Sequence, residues 1–229
     1  MKINYLHLSA EFVVIVIGVA VALAAESWRQ DLLERSAETE YIERLNIDLQ
    51  QDQENLKAFI EDSLELLAST NHLISVLESS ARNLDRDEVI SNLLVASSTP
   101  TFSVLTIQDI AYQELINTGG FNIIESSAVR QDITEYYRLA TINKNAAERI
   151  PNSIFSRFRE LTGYVPYYYT NLENSLTESD KTRLLEELDD KNILREFRAQ
   201  RSSLDTIAAR LSQLLSLNIE TLQILDNYR

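Results

Sequence analysis

Between Glu26 and Asn83 nothing in the sequence interrupts a helical period. Ile42, Leu45, Leu49, Leu56, Ile60, Leu64 and Leu67 recur at spacings of three, four and seven, with Asp, Glu and Gln between them. That is the apolar stripe of an amphipathic helix. Only "STNH" (Ser69 to His72) offers a place to bend. Unbroken, about 55 residues would extend roughly 80 Å. Such a rod needs company, from later helices of its own chain or from other chains. Four Gly and three Pro in 229 residues leave few turn signals, which favours long helices over many short strands.

The rest of the chain reads the same way. Asp85 precedes "RDEVISNLLVASS" with Glu88 at the capping-box position, which predicts a short helix to about Ser98. "TPTF" (Thr99 to Phe102) breaks the pattern, and Thr106 to Asn117 is helical again, closed by Gly119-Gly120. Ser126 caps a helix running to about Ile150, which could continue past Pro151. "GYVPYYYTN" (Gly163 to Asn171) is a loop, Thr177 with Asp180 opens another helix, and one long amphipathic helix closes the chain. Its seam is Leu204, Ile207, Leu211, Leu214 and Leu215, Leu217 or Asn218, then Leu222 and Leu225. Two long helices with shorter ones between them predict an all-α fold, an elongated antiparallel bundle.

Ahead of the bundle, Phe12 to Ala25 carries no charge. Fourteen residues reach only about 21 Å as a helix, whereas a hydrocarbon core is about 30 Å thick. The window Tyr5 to Trp28 reaches about 35 Å, with Tyr5 and Trp28 as interfacial anchors at its two ends. The chain thus divides into a single transmembrane anchor over 1–29 and an acidic soluble helical bundle over 30–229. Ala22-Leu23-Ala24 before Ala25 is like a signal-peptidase site, but a lone Lys2 and Glu11 ahead of the apolar run favour an uncleaved anchor.

At 100° per residue His7, Glu11, Gly18, Ala22, Ala25 and Arg29 fall on one stripe, opposite Phe12, Val13, Val16, Val19 and Leu23. Small residues let membrane helices approach closely, and ionisable groups there usually face protein or water. His7, Glu11, Gly18, Ala22 and Ala25 are therefore a candidate seam for a transmembrane partner. The competing reading has Ser9 capping the helix, with Glu11 in the first turn reaching to the interface.

The anchor, Glu11-Phe12, Val16-Ile17-Gly18-Val19, Ala22-Leu23 and Trp28, followed by "YIERLNIDLQQD" (Tyr41 to Asp52), resembles a family of bacterial single-pass membrane proteins. Looser similarity surrounds Tyr112, Glu114, Leu115, Gly119 and "VRQDITEYY" (Val129 to Tyr137). The resemblance implies membrane anchoring and a helical fold, and no reaction.

Asp and Glu number 35 against 21 Lys and Arg, for a net charge of −14. Lys2, Glu11, Glu26 and Arg29 cancel within the first thirty residues, so the excess belongs to the bundle. Such a domain repels nucleic acid and anionic headgroups. There is no cysteine, and the two histidines, His7 and His72, lie far apart, so a His or thiolate metal site is not expected. Phosphate-loop, dinucleotide, zinc-protease and nucleophile-elbow motifs are absent. No catalytic residue, cofactor or metal ligand is assigned. Tyr164, Tyr167, Tyr168 and Tyr169 crowd one loop, which could plug the bundle end or form a docking loop.

The functional expectation is a non-enzymatic accessory or scaffolding subunit of a membrane complex, docking through its transmembrane helix and acidic bundle. Its partners would be other membrane protein subunits and the lipid bilayer, with a homo-oligomer as a further option. It would sit in the bacterial inner membrane with the bundle in the periplasm. The alternative is an anchored sensor whose bundle binds a small ligand or peptide.

Overall fold

The structure is a computed structural model describing residues 5–79, 85–97, 105–148, 154, 157–158 and 176–228, with side chains from Val14 onward. Most of those residues are helical, with no strand among them. The elements are α1 (Tyr5–Glu78), α2 (Arg86–Ala96), α3 (Ile110–Asn117), a 3-10 turn (Gly120–Ile123), α4 (Ser127–Ala147), α5 (Glu178–Glu187) and α6 (Ile193–Tyr228).

α1 is longer than its amphipathic period suggests. It runs 74 residues without a break, about 110 Å at 1.5 Å per residue. The apolar segment and the first bundle helix are thus one rod, and "STNH" does not end it. No Gly or Pro lies between Gly18 and Glu78 to make a hinge. Ser9 lies inside this helix and does not cap it.

α6 lies antiparallel to α1. Tyr228 bonds Glu38, Asn46 donates to Asp226 at 2.7 Å, Asn218 donates to the Leu49 carbonyl at 3.0 Å, and Arg198 reaches Glu78 at 2.6 Å. The buried positions of α1 include the series Ile42, Leu45, Leu49, Asp52, Leu56, Phe59, Ser63, Leu66, Thr70 and Leu73, with Asn46, Ser69 and Ile74 buried beside it. Those of α6 include Ile193, Phe197, Gln200, Leu204, Ile207, Leu211, Leu214, Asn218, Thr221 and Leu225. Both alternate spacings of three and four, which is the heptad seam of a coiled coil. This corrects the sequence expectation. Leu64 is exposed, Ile60 and Leu67 are only partly buried, and Phe59, Ser63 and Leu66 occupy the seam instead. Thr221 likewise takes the place of Leu222.

Two cores flank this spine. One gathers Ile42 to Phe59 of α1, α3, α4 and the C-terminal half of α6; the other gathers Leu73 and Ile74 with α2, α5, Ile193, Phe197, Ile154 and Phe158.

The helix starts follow local chemistry. Asp85 accepts from the Asp87 N–H, Ser126 accepts from Val129, and Thr177 with Asp180 closes a full capping box. Gly119 takes φ +70° after α3, a conformation that costs a residue without Cβ little. α3 begins at Ile110, four residues later than its sequence suggests. Two α1 carboxylates explain the delay: Asp52 accepts from the Gln108 N–H at 2.6 Å and Asp48 from the Ala111 N–H at 3.2 Å. These donors are satisfied from outside the helix, so the residues before Ile110 need no helical bonds of their own.

Candidate functional site

Every residue from Val14 to Ser36 is exposed, and burial begins only as α1 enters the bundle. Val14, Ile15, Val16, Ile17, Val19, Val21 and Leu23 cover all sides of this stalk, with Val14 70 % and Leu23 66 % exposed. A Cβ added to Gly18 would meet nothing within 4 Å. Gly18, Ala22 and Ala25 therefore share one open face of α1, and Trp28, the expected interfacial anchor, is 67 % exposed just beyond them. The side chains of Tyr5, His7 and Glu11 lie outside the described residues, as does the whole tyrosine loop with Tyr164, Tyr167, Tyr168 and Tyr169.

Among the described residues no helix is long and apolar enough to cross a membrane. Side-chain description starts at Val14, and Val14 to Ala25 is an apolar run of about 18 Å.

Where the stalk meets the bundle, Glu38 fastens three pieces of backbone. It accepts from the Tyr228 hydroxyl and, at 2.7 Å, from the Glu125 N–H, while the Tyr228 oxygen accepts from the Ser126 N–H at 3.2 Å. Burial and the Glu38 carboxylate both push the Tyr228 phenol up. Beside it opens a groove of about 630 Å³ lined by Arg35, Glu38, Thr39, Ile42, Glu43, Glu125 and Tyr228. One turn further along, Glu114 takes hydrogen bonds from Arg44 and Tyr41, which hold its carboxyl below the usual range.

Deeper in the same core lies a polar layer that sequence reading missed. Asp52 is fully buried in the α1 seam. Its Oδ2 accepts from the Tyr136 hydroxyl at 2.7 Å and its Oδ1 from the Gln108 N–H. Tyr137, also buried, stacks on Tyr112 with ring centroids 4.4 Å apart and meets Tyr136 edge-on. The fully buried Asn218 adds its bond to Leu49. Burial drives the Asp52 carboxyl up to about 7 against the lowering effect of its two donors, with Asp48 and Asp109 adding repulsion. Burial and the Asp52 charge raise both Tyr136 and Tyr137, so both phenols stay protonated. The one signal available in sequence was the position of Asp52, three after Leu49 and four before Leu56, where the seam requires an apolar residue.

At the far end, Arg157 pairs with Glu187 at 3.0 Å, Asp190 at 2.9 Å and Glu196 at 3.7 Å. Glu187 of α5, Asp190 of the turn after it and Glu196 of α6 therefore converge on Arg157. His72 lies half-buried, 3.8 Å from Glu88.

No family model, curated protein or solved structure matches this chain.

Proposed function

We propose that the protein is a non-enzymatic accessory or scaffolding subunit of a bacterial membrane complex, held by the apolar part of α1. The observation that carries this reading is the stalk. Seven Val, Ile and Leu side chains are exposed on every side of a helix that no other described residue covers. A helix apolar all round needs lipid or protein around it. Its β-branched residues are also poor helix formers in water, so an apolar surrounding accounts for the conformation better than propensity does. The bilayer would take the window Tyr5 to Trp28, and the acidic bundle would stand in the periplasm. The resemblance of the anchor to bacterial single-pass proteins supports the same placement.

Gly18, Ala22 and Ala25, continued by His7 and Glu11, would form the seam for a helix of another subunit. The bundle would dock a soluble face, with the tyrosine loop as one candidate contact. A homo-oligomer would use the same seam. The sensor reading is favoured by one feature, the unhinged rod, which would carry a shift at the bundle directly into the anchor.

Purification from native membrane in mild detergent, comparing wild type with Gly18→Leu, tests the proposal. Because nothing lies near Gly18, this substitution should leave the bundle intact. A stoichiometric partner that is lost in the variant is the expected result. Recovery of the protein alone in both cases would overturn the subunit reading and turn attention to ligands of the bundle.

A further inference from the structure

We infer that Asp52 acts as a proton-operated latch: as the neutral acid it holds segment 105–109 and α4 against α1, and on ionisation it loosens them. This inference does not rest on the membrane reading.

The geometry joins three parts of the chain at one carboxyl group through two hydrogen bonds. Asp52 itself belongs to α1, its Oδ1 is the acceptor for the Gln108 N–H, and its Oδ2 meets the Tyr136 hydroxyl of α4. Its neighbour Asp48 receives the Ala111 N–H and so shares the hold on α3. The groups facing Asp52 are Asp48 from its own helix, Asp109 from the segment before α3, and Tyr136 and Tyr137 from α4, with Asn218 of α6 beside Tyr136. The two that carry charge are both anionic, so an ionised Asp52 has hydrogen bonds but repulsive neighbours. A buried charge in that setting is costly. Two polar atoms of the layer, Asn218 Oδ1 and the Tyr137 hydroxyl, are buried without a partner. The layer therefore has spare capacity to rearrange when the Asp52 proton comes or goes. In the neutral form the Tyr136 contact can persist with donor and acceptor reversed, while Oδ1 still accepts from Gln108.

The direction follows from linkage. The closed state keeps its proton up to about pH 7, whereas an exposed aspartate loses it near pH 4. Between those values the open state binds fewer protons, so closure weakens as pH rises and levels off above 7. The Asp52→Asn variant imitates the neutral acid: one amide oxygen for Gln108 and one amide N–H for the Tyr136 oxygen.

Amide hydrogen exchange on the full-length protein, corrected for intrinsic rates, reads the latch. Protection over residues 105–112 should be about tenfold lower at pH 8 than at pH 6 in wild type, and independent of pH in Asp52→Asn. An equal response in both proteins, no response in wild type, or a uniform fall across all helices would overturn the inference. Carbon-13 titration of the wild-type aspartate carboxyls makes the test independent of how the variant folds. An Asp52 midpoint near 7 supports the latch, and one near 4 contradicts it.

Discussion

Along α1, the stretch from Val14 to Ala25 and the stretch from Ile42 to Leu73 are helical for different reasons. The second alternates apolar and charged residues in strict heptads and buries its seam against α6. The first has no alternation, being apolar on every side, and buries nothing against the other described residues. Packing an amphipathic face is the usual source of helix stability in a protein. The stalk lacks that source among the described residues. One unhinged helix thus joins a segment that the bundle packs to a segment that no other described residue packs against.

The largest test of this contrast compares truncations in the two stretches. Leu56→Ala opens a cavity in the main core and should lower unfolding stability by about 2–5 kcal/mol in chemical denaturation. A near-null effect there would mean that the seam is not packed as described. Next in size is Tyr136→Phe, which leaves buried Asp52 with one donor fewer and should cost about 1–3 kcal/mol. Smallest is Leu23→Ala, expected to change bundle stability by no more than about 0.5 kcal/mol. A loss comparable to that of Leu56→Ala would show that the stalk folds back onto the bundle.

The helices were legible in sequence because their punctuation is local. Asp85, Gly119, Ser126 and the Thr177–Asp180 box each act within one turn of their own position, and each acts in the structure where its sequence places it. The seam of α1 was legible only as far as Leu56. Beyond it Ser63 and Thr70 stand at buried positions, so counting apolar residues shifts the phase onto Ile60, Leu64 and Leu67. The start of α3 differs from the sequence expectation because the Gln108 N–H just before it and the Ala111 N–H in its first turn are met by Asp52 and Asp48, more than fifty residues away in sequence. The Asp52–Tyr136 pair spans a sequence separation of 84, and no local rule brings those two together. The stripe through Gly18, Ala22 and Ala25 was legible from helical periodicity, and α1 presents it open.

The central claim is that the stalk belongs in lipid while the bundle stands clear of it. The chain has no cysteine, so single cysteines can be placed at will for spin labels. The decisive measurement is the collision accessibility of labels at Val16, Val19 and Leu23, with Lys57 as the bundle reference, in the protein reconstituted into vesicles. The account predicts that oxygen, which partitions into lipid, relaxes the first three strongly, while a water-soluble nickel complex reaches only the label at Lys57. If nickel reaches Val16 and Leu23 as readily as Lys57, the stalk lies in water and the account is wrong.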